Sequence, residues 1–187
     1  MPPKVKVTKE DIINAAVGIV RRSGPQAINA RTVASALNCS TQPVFSNFAT
    51  MEELRMAVAE WAEGLYREYM KQEMESGNYP DYKASGMAYI RFAKEERELF
   101  KLLYMCDRAR EPIPENTDLT NQMEGYVHDH TGLDGWDAKL FHLEMWAYVH
   151  GIATMFATGY LDLDWELVSR MLTDAYQGLW KRFGMEE

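Results

Sequence analysis

From Thr8 onward the apolar residues of this 187-residue chain recur three and four apart, and nowhere do they alternate with polar ones for long. That period belongs to the α-helix and excludes a sheet of any size. Thr8-x-x-Asp11 has the spacing of a capping box, and Ile12, Ile13, Ala16, Val17 and Val20 follow on one face. Arg21 and Arg22 suit the last turn, Gly24 stops the helix and Pro25 forbids its continuation. A shorter helix is expected from Ala30 to Leu37 with Asn29 as N-cap, ended by Asn38 in the left-handed conformation. A third begins after Ser40 as N-cap, which leaves Pro43 in the first turn, where its missing N–H costs nothing. Its underside is Val44, Phe45 and Phe48.

Thr50 caps a long fourth helix over 51–75, and Gly77–Asp81 breaks the chain. Further helices are expected over 82–94 and 98–106, a loop over 110–120, a weaker helix over 120–131, and two strong ones over 136–160 and 165–183. The expectation is an all-α chain of about nine helices. It divides into a three-helix head over 1–50, built as a helix-turn-helix, and a helical body over 51–187.

Charge follows the same division. The whole chain carries −8, but residues 1–50 hold Lys4, Lys6, Lys9, Arg21, Arg22 and Arg31 against Glu10 and Asp11, so the head is +4 and the remainder −12. A basic head on an acidic body points to a polyanionic partner for the head. No apolar run approaches the roughly 20 residues that span a bilayer. The N-terminus lacks the apolar stretch of a secretion signal. Two cysteines, Cys39 and Cys106, make no disulfide framework or zinc set, and a reducing cytoplasm is the expected location.

The second helix of a helix-turn-helix enters the major groove, and its polar residues meet base edges while its apolar side docks on the other two. Thr41, Gln42 and Asn47 have that chemistry, and Arg31 can reach a guanine or a phosphate. Lys4, Lys6, Thr8 and Lys9 would meet phosphates. Asn29, Ser40, Phe45, Ser46 and Thr50 complete the candidate DNA-binding set.

Ile28, Arg31, Val33, Ala34, Leu37, Cys39, Ser40, Val44, Phe45, Asn47, Phe48, Glu52 and Leu54 occupy the positions of a family pattern. Through them the head resembles that of the TetR/AcrR family of transcriptional regulators. Two positions depart from it: Phe45 stands where the family usually has a phosphate-contacting tyrosine, and Met51 where it has a lysine. In the body, Trp146, His150 and Gly151 resemble the Trp-x-x-x-His-Gly element of one subgroup. The resemblance implies a repressor released from a palindromic operator by a small-molecule effector. It also implies a homodimer joined by its last two helices.

The interface candidates are Phe141, Val149, Ile152 and Phe156 on one of these helices and Val168, Met171, Leu172, Ala175 and Leu179 on the other, too apolar to be fully solvated. Gly151 permits close backbone approach. Effector-binding candidates are Trp61, Leu65, Tyr69, Tyr89, Phe92, Phe100, Leu103, Tyr104 and Trp146, which suit an apolar or aromatic ligand. Glu60, Glu63, Glu68 and Glu73 admit a cation but read first as a solvated helix face.

His128-Asp129-His130 lacks further ligands at metal-site spacing and reads as a surface loop. No triad order, activated cysteine or phosphate-cradling loop is present, so neither catalysis nor a cofactor is expected. The alternative from another class is a helical small-molecule-binding or adaptor dimer that has lost operator binding.

Overall fold

The computed structural model of the protein describes residues 7–105 and 118–184. Lys4, Lys6, Cys106 and most of the segment expected as a loop lie outside them. Among the described residues the chain is all-α, with nine helices and no strand: α1 (Lys9–Ser23), α2 (Ala30–Ala36), α3 (Gln42–Asn47), α4 (Met51–Glu75), α5 (Asp81–Glu95), α6 (Arg97–Tyr104), α7 (Asp118–Thr131), α8 (Gly135–Thr158) and α9 (Trp165–Arg182). A single 3-10 turn, Pro25–Ala27, separates α1 from α2.

The helix ends follow local chemistry. Thr8 and Asp11 form the reciprocal box at the start of α1. Gly24, at φ 81°, ends that helix in a conformation that a β-carbon would strain, and its N–H bonds the Val20 carbonyl. The Thr50 hydroxyl accepts the Glu53 N–H at the start of α4. Gly159 closes α8 in the left-handed region.

Two compact units result. The first holds the described residues through Leu65 together with α6; the second holds the chain from Tyr66 to Glu95 and from α7 onward. In the first, α1 packs against α2 and α6, and α2 against α3. Ile12, Ala16 and Val20 of α1 are fully buried, as are Ile28, Val33, Val44, Leu54, Leu99 and Phe100. Arg21 grips the Glu96 carboxylate with two N–H groups, at 2.8 and 2.5 Å.

In the second unit α5 is the central element, packed against α7, α8 and α9. Almost every residue from Ala84 to Ala93 is buried. A β-carbon on Gly86 would lie 3.4 Å from the Leu172 and Val149 side chains, so this glycine sets how closely α5 meets α8 and α9. Phe141 lies edge-on to Tyr176 and tilted against Phe183. No helix among the described residues is long and apolar enough to cross a membrane.

Three expectations change here. His128 and His130 are not in a loop but in the exposed last turn of α7, because its helical bonding runs on to Thr131. Their Nδ1 atoms lie 2.9 Å from the Asp134 carboxylate and 2.8 Å from the Tyr126 carbonyl. Glu73 is no solvated residue: it is 2% exposed and paired at 3.0 Å with Arg91 of α5, while Glu60, Glu63 and Glu68 are exposed as expected. Ser40 does not cap α3. Thr41 holds the N-cap position already in helical geometry (φ −72°, ψ −12°) and makes no side-chain cap bond, so the helix starts at Gln42.

Candidate functional site

Most of the candidate DNA-binding residues lie in the α2–turn–α3 segment of the first unit. Asn29 Oδ1 accepts from the N–H groups of Arg31 and Thr32, both at 3.0 Å, and Thr32 returns the bond by accepting the Asn29 N–H. After Ala36 the chain reverses through Asn38, at φ 51°, and the Cys39 N–H bonds the Ala34 carbonyl at 3.0 Å. Asn tolerates that left-handed geometry better than a branched residue.

α3 is held by Val44 (0% exposed) within it and by Phe48 (2%), the residue that closes its C-terminal end four positions on. That register turns Phe45 outward. Expected in the underside, it is instead 53% exposed, since the next residue after Val44 lies about 100° around the helix. Gln42 and Ser46 share the exposed side. The Ser46 hydroxyl donates to the Gln42 carbonyl at 2.9 Å, and the half-buried Asn47 amide donates to the Pro43 carbonyl at 2.8 Å. Thr41 is half-buried; Arg31, Ser40 and Thr50 are exposed. Of the basic candidates at the N-terminus, Lys9 is described: it is exposed, with Nζ 5.1 Å above the Phe48 ring.

A surface groove of about 400 Å³ lies on the head between α1 and α2, lined by Asp11, Asn14, Ala15, Gly18, Arg22, Ala36 and Leu37. None of these belongs to the effector-binding candidates. Those candidates fall in both units. Trp61, Leu65, Phe100, Leu103 and Tyr104 lie in the first, where the Arg21 guanidinium sits 5.3 Å from the Trp61 ring and Phe100 packs on Tyr104.

Tyr69, Tyr89, Phe92 and Trp146 lie in the second, and there the structure joins them into a chain of rings. Tyr69 meets Phe92, Phe92 meets Tyr66, and Tyr66 meets Tyr89, with centroids 5.6–5.7 Å apart. The Tyr89 hydroxyl is 2.9 Å from His150 Nδ1, and His150 stacks on Trp146 at 4.9 Å. Tyr66 and His150 were not among the candidates. His150 stood out only as part of the Trp-x-x-x-His-Gly element, and Tyr66 only through its place three residues before Tyr69 on the same helix.

Burial pushes the Tyr66 hydroxyl far above the usual phenol range and holds the His150 imidazole below its ordinary value. A histidine depressed in the fold binds fewer protons there than in the unfolded chain. Its share of stability is therefore complete above the ordinary value of about 6.5 and is lost as pH falls below it. The thermal midpoint of the wild type should drop more between about pH 7 and about pH 5.5 than that of His150→Gln. Equal drops would show that the imidazole sits alike in both states.

The interface candidates Phe141, Val149, Ile152, Phe156, Val168 and Leu172 are buried within the protomer, and Met171, Ala175 and Leu179 are half-buried. The large apolar residues left exposed on α8 are others: Trp136, Leu143, Trp146, Tyr148 and Met155, with Leu167 on α9. Leu143, Ala147, Gly151 and Met155 form one ridge at four-residue steps. A β-carbon on Gly151 would meet nothing of its own chain within 4 Å.

Half of the chain, residues 82–175, matches a family model described as tetracycline repressor-like, C-terminal domain. The fold resembles that of a TetR-like transcriptional regulator from Rhodococcus sp. RHA1, with 14% identity over 100% of both chains and a TM-score of 0.70. A protein of unknown function from the same organism gives 22% identity over 97% of this chain and 98% of its own, with a TM-score of 0.71. A TetR-family member from Streptomyces coelicolor A3 gives 18% identity over 89% and 96%, with a TM-score of 0.64. No curated protein sequence matches the chain.

Proposed function

The chain belongs to the tetracycline repressor-like (TetR) family, and from that premise we propose that it is a homodimeric, sequence-specific DNA-binding regulator of transcription, a repressor released from a palindromic operator by an apolar or aromatic effector. Residues 1–50 read DNA; residues 51–187 bind the effector and dimerise, with the Trp-x-x-x-His-Gly element in α8. The observation that carries this reading is the exposed side of α3. A short helix fastened by two buried apolar residues turns Gln42 and Phe45 to solvent beside a capped α2. That is the build of a helix made to enter a groove.

Dimerisation supplies the second recognition helix that a palindrome needs. The interface we propose runs along the α8 ridge of Leu143, Ala147, Gly151 and Met155, where small residues let a second backbone approach. Effector binding favours one arrangement of the body and so shifts the population of DNA-competent dimers. Within the first unit α6 packs on α1, and the Arg21–Glu96 pair ties that helix of the reading head to the start of α6.

Fluorescence anisotropy against the DNA flanking its own gene, beside a scrambled duplex, tests the reading at low and physiological salt. Preferential binding that survives physiological salt is expected. Gln42→Ala should weaken it by about 1–3 kcal/mol, the worth of one bidentate base contact, and leave scrambled-duplex binding unchanged. Equal, salt-erased binding to every duplex, including those from a genomic-fragment selection, would overturn it. The adaptor dimer, for which the missing tyrosine hydroxyl at Phe45 and missing lysine at Met51 speak, would then stand.

A further inference from the structure

Phe45 is left unexplained by phosphate contact and by packing alike. A phenyl ring donates no hydrogen bond, so it cannot hold a phosphate as a tyrosine hydroxyl would. Nor can it turn inward, because Val44 and Phe48 already occupy the buried face of α3. It stands three residues from Gln42, on the same exposed side of the helix. Beside it, Ser46 and Asn47 spend donors on the helix's own carbonyls, and Pro43 has no N–H to offer. The outward row of α3 thus pairs one long amide with one flat apolar ring.

In the major groove the apolar group that a base pair presents is the thymine 5-methyl, and the bidentate partner of a glutamine is adenine. We propose that Phe45 reads a thymine 5-methyl group in each operator half-site, next to an adenine read by Gln42, so that the half-site centres on A·T pairs. The inference rests on the head's reading DNA. Within that reading it names the chemical group that sets specificity.

The test isolates the methyl group. The full-length protein is used to enrich a duplex from a random-sequence pool, and that duplex is resynthesised with deoxyuridine in place of thymidine, one position at a time. Uracil pairs as thymine does and lacks only the methyl. One position per half-site should weaken wild-type binding about fourfold, the worth of one buried methyl, and replacement in both half-sites about fifteenfold.

Phe45→Ala should bind the thymine and uracil duplexes equally, and Phe45→Leu, which keeps an apolar contact, should retain part of the preference. Circular dichroism checks that both variants keep the fold, as an exposed position allows. Enrichment of a duplex with no uracil-sensitive position overturns the inference and leaves the regulator reading intact. So does a sensitivity that Phe45→Ala retains in full. Failure to enrich any duplex overturns both.

Discussion

Phe48→Ala should cost about 3–5 kcal/mol of stability and abolish sequence-specific DNA binding. The ring is 2% exposed and, with Val44, fastens α3 to the rest of the head. A helix of six residues has no stability of its own, because nucleation costs more than so few hydrogen bonds return. Once the ring is gone, a cavity forms under α3 and the geometry of its outward row is lost. Urea denaturation and anisotropy on the same preparation read both effects. Phe45→Ala is the control. Three residues away but exposed, it should change stability by no more than about 0.5 kcal/mol. If the two variants were equally stable, the assignment of inward and outward faces on α3 would be wrong.

Arg91→Met should cost about 3 kcal/mol, and Glu73→Met combined with it should recover most of that loss. Glu73 is buried in the second unit with its carboxylate 3.0 Å from the Arg91 guanidinium, which also lies 5.5 Å from the Trp165 ring. Removing the arginine leaves a charge that water cannot reach, and desolvation then outweighs whatever packing methionine restores. Removing both charges avoids that penalty. The figure sits at the low end for a broken buried pair because the Arg91 side chain is 36% exposed. A double variant no more stable than Arg91→Met would show that Arg91 acts through its contact with Trp165 instead.

Much of the fold was legible in residues whose effect is local. Thr8 with Asp11, Asn29, Gly24, Asn38 and Thr50 mark helix ends by bonding or conforming within a few residues of themselves, and the structure places them so. The all-α class needed only the three-and-four spacing. Ser40 misled because a side chain able to cap does so only if its backbone stays extended and the helix starts directly after it. Here Thr41 had already turned helical.

The assignment of faces was less legible. α8 is apolar nearly all round: Phe141, Met145, Val149, Ile152 and Phe156 are buried, while Leu143, Trp146, Tyr148 and Met155 are exposed. Periodicity cannot choose between two apolar stripes, so the candidates for the interface came from the stripe that the protomer keeps for itself.

By itself, then, the sequence determined where most helices start and stop and that no strand forms among the described residues, and it named the short segment that we propose reads a groove. Only the tertiary structure decided that α5 takes the Phe141–Phe156 face of α8, that Arg91 draws Glu73 inside, and that Phe45 faces out. Helix ends depend on hydrogen bonds between residues near in sequence, which any reader of the chain can count. Which face is buried depends on the shape of a partner helix many residues away, and that partner exists only once the chain has folded.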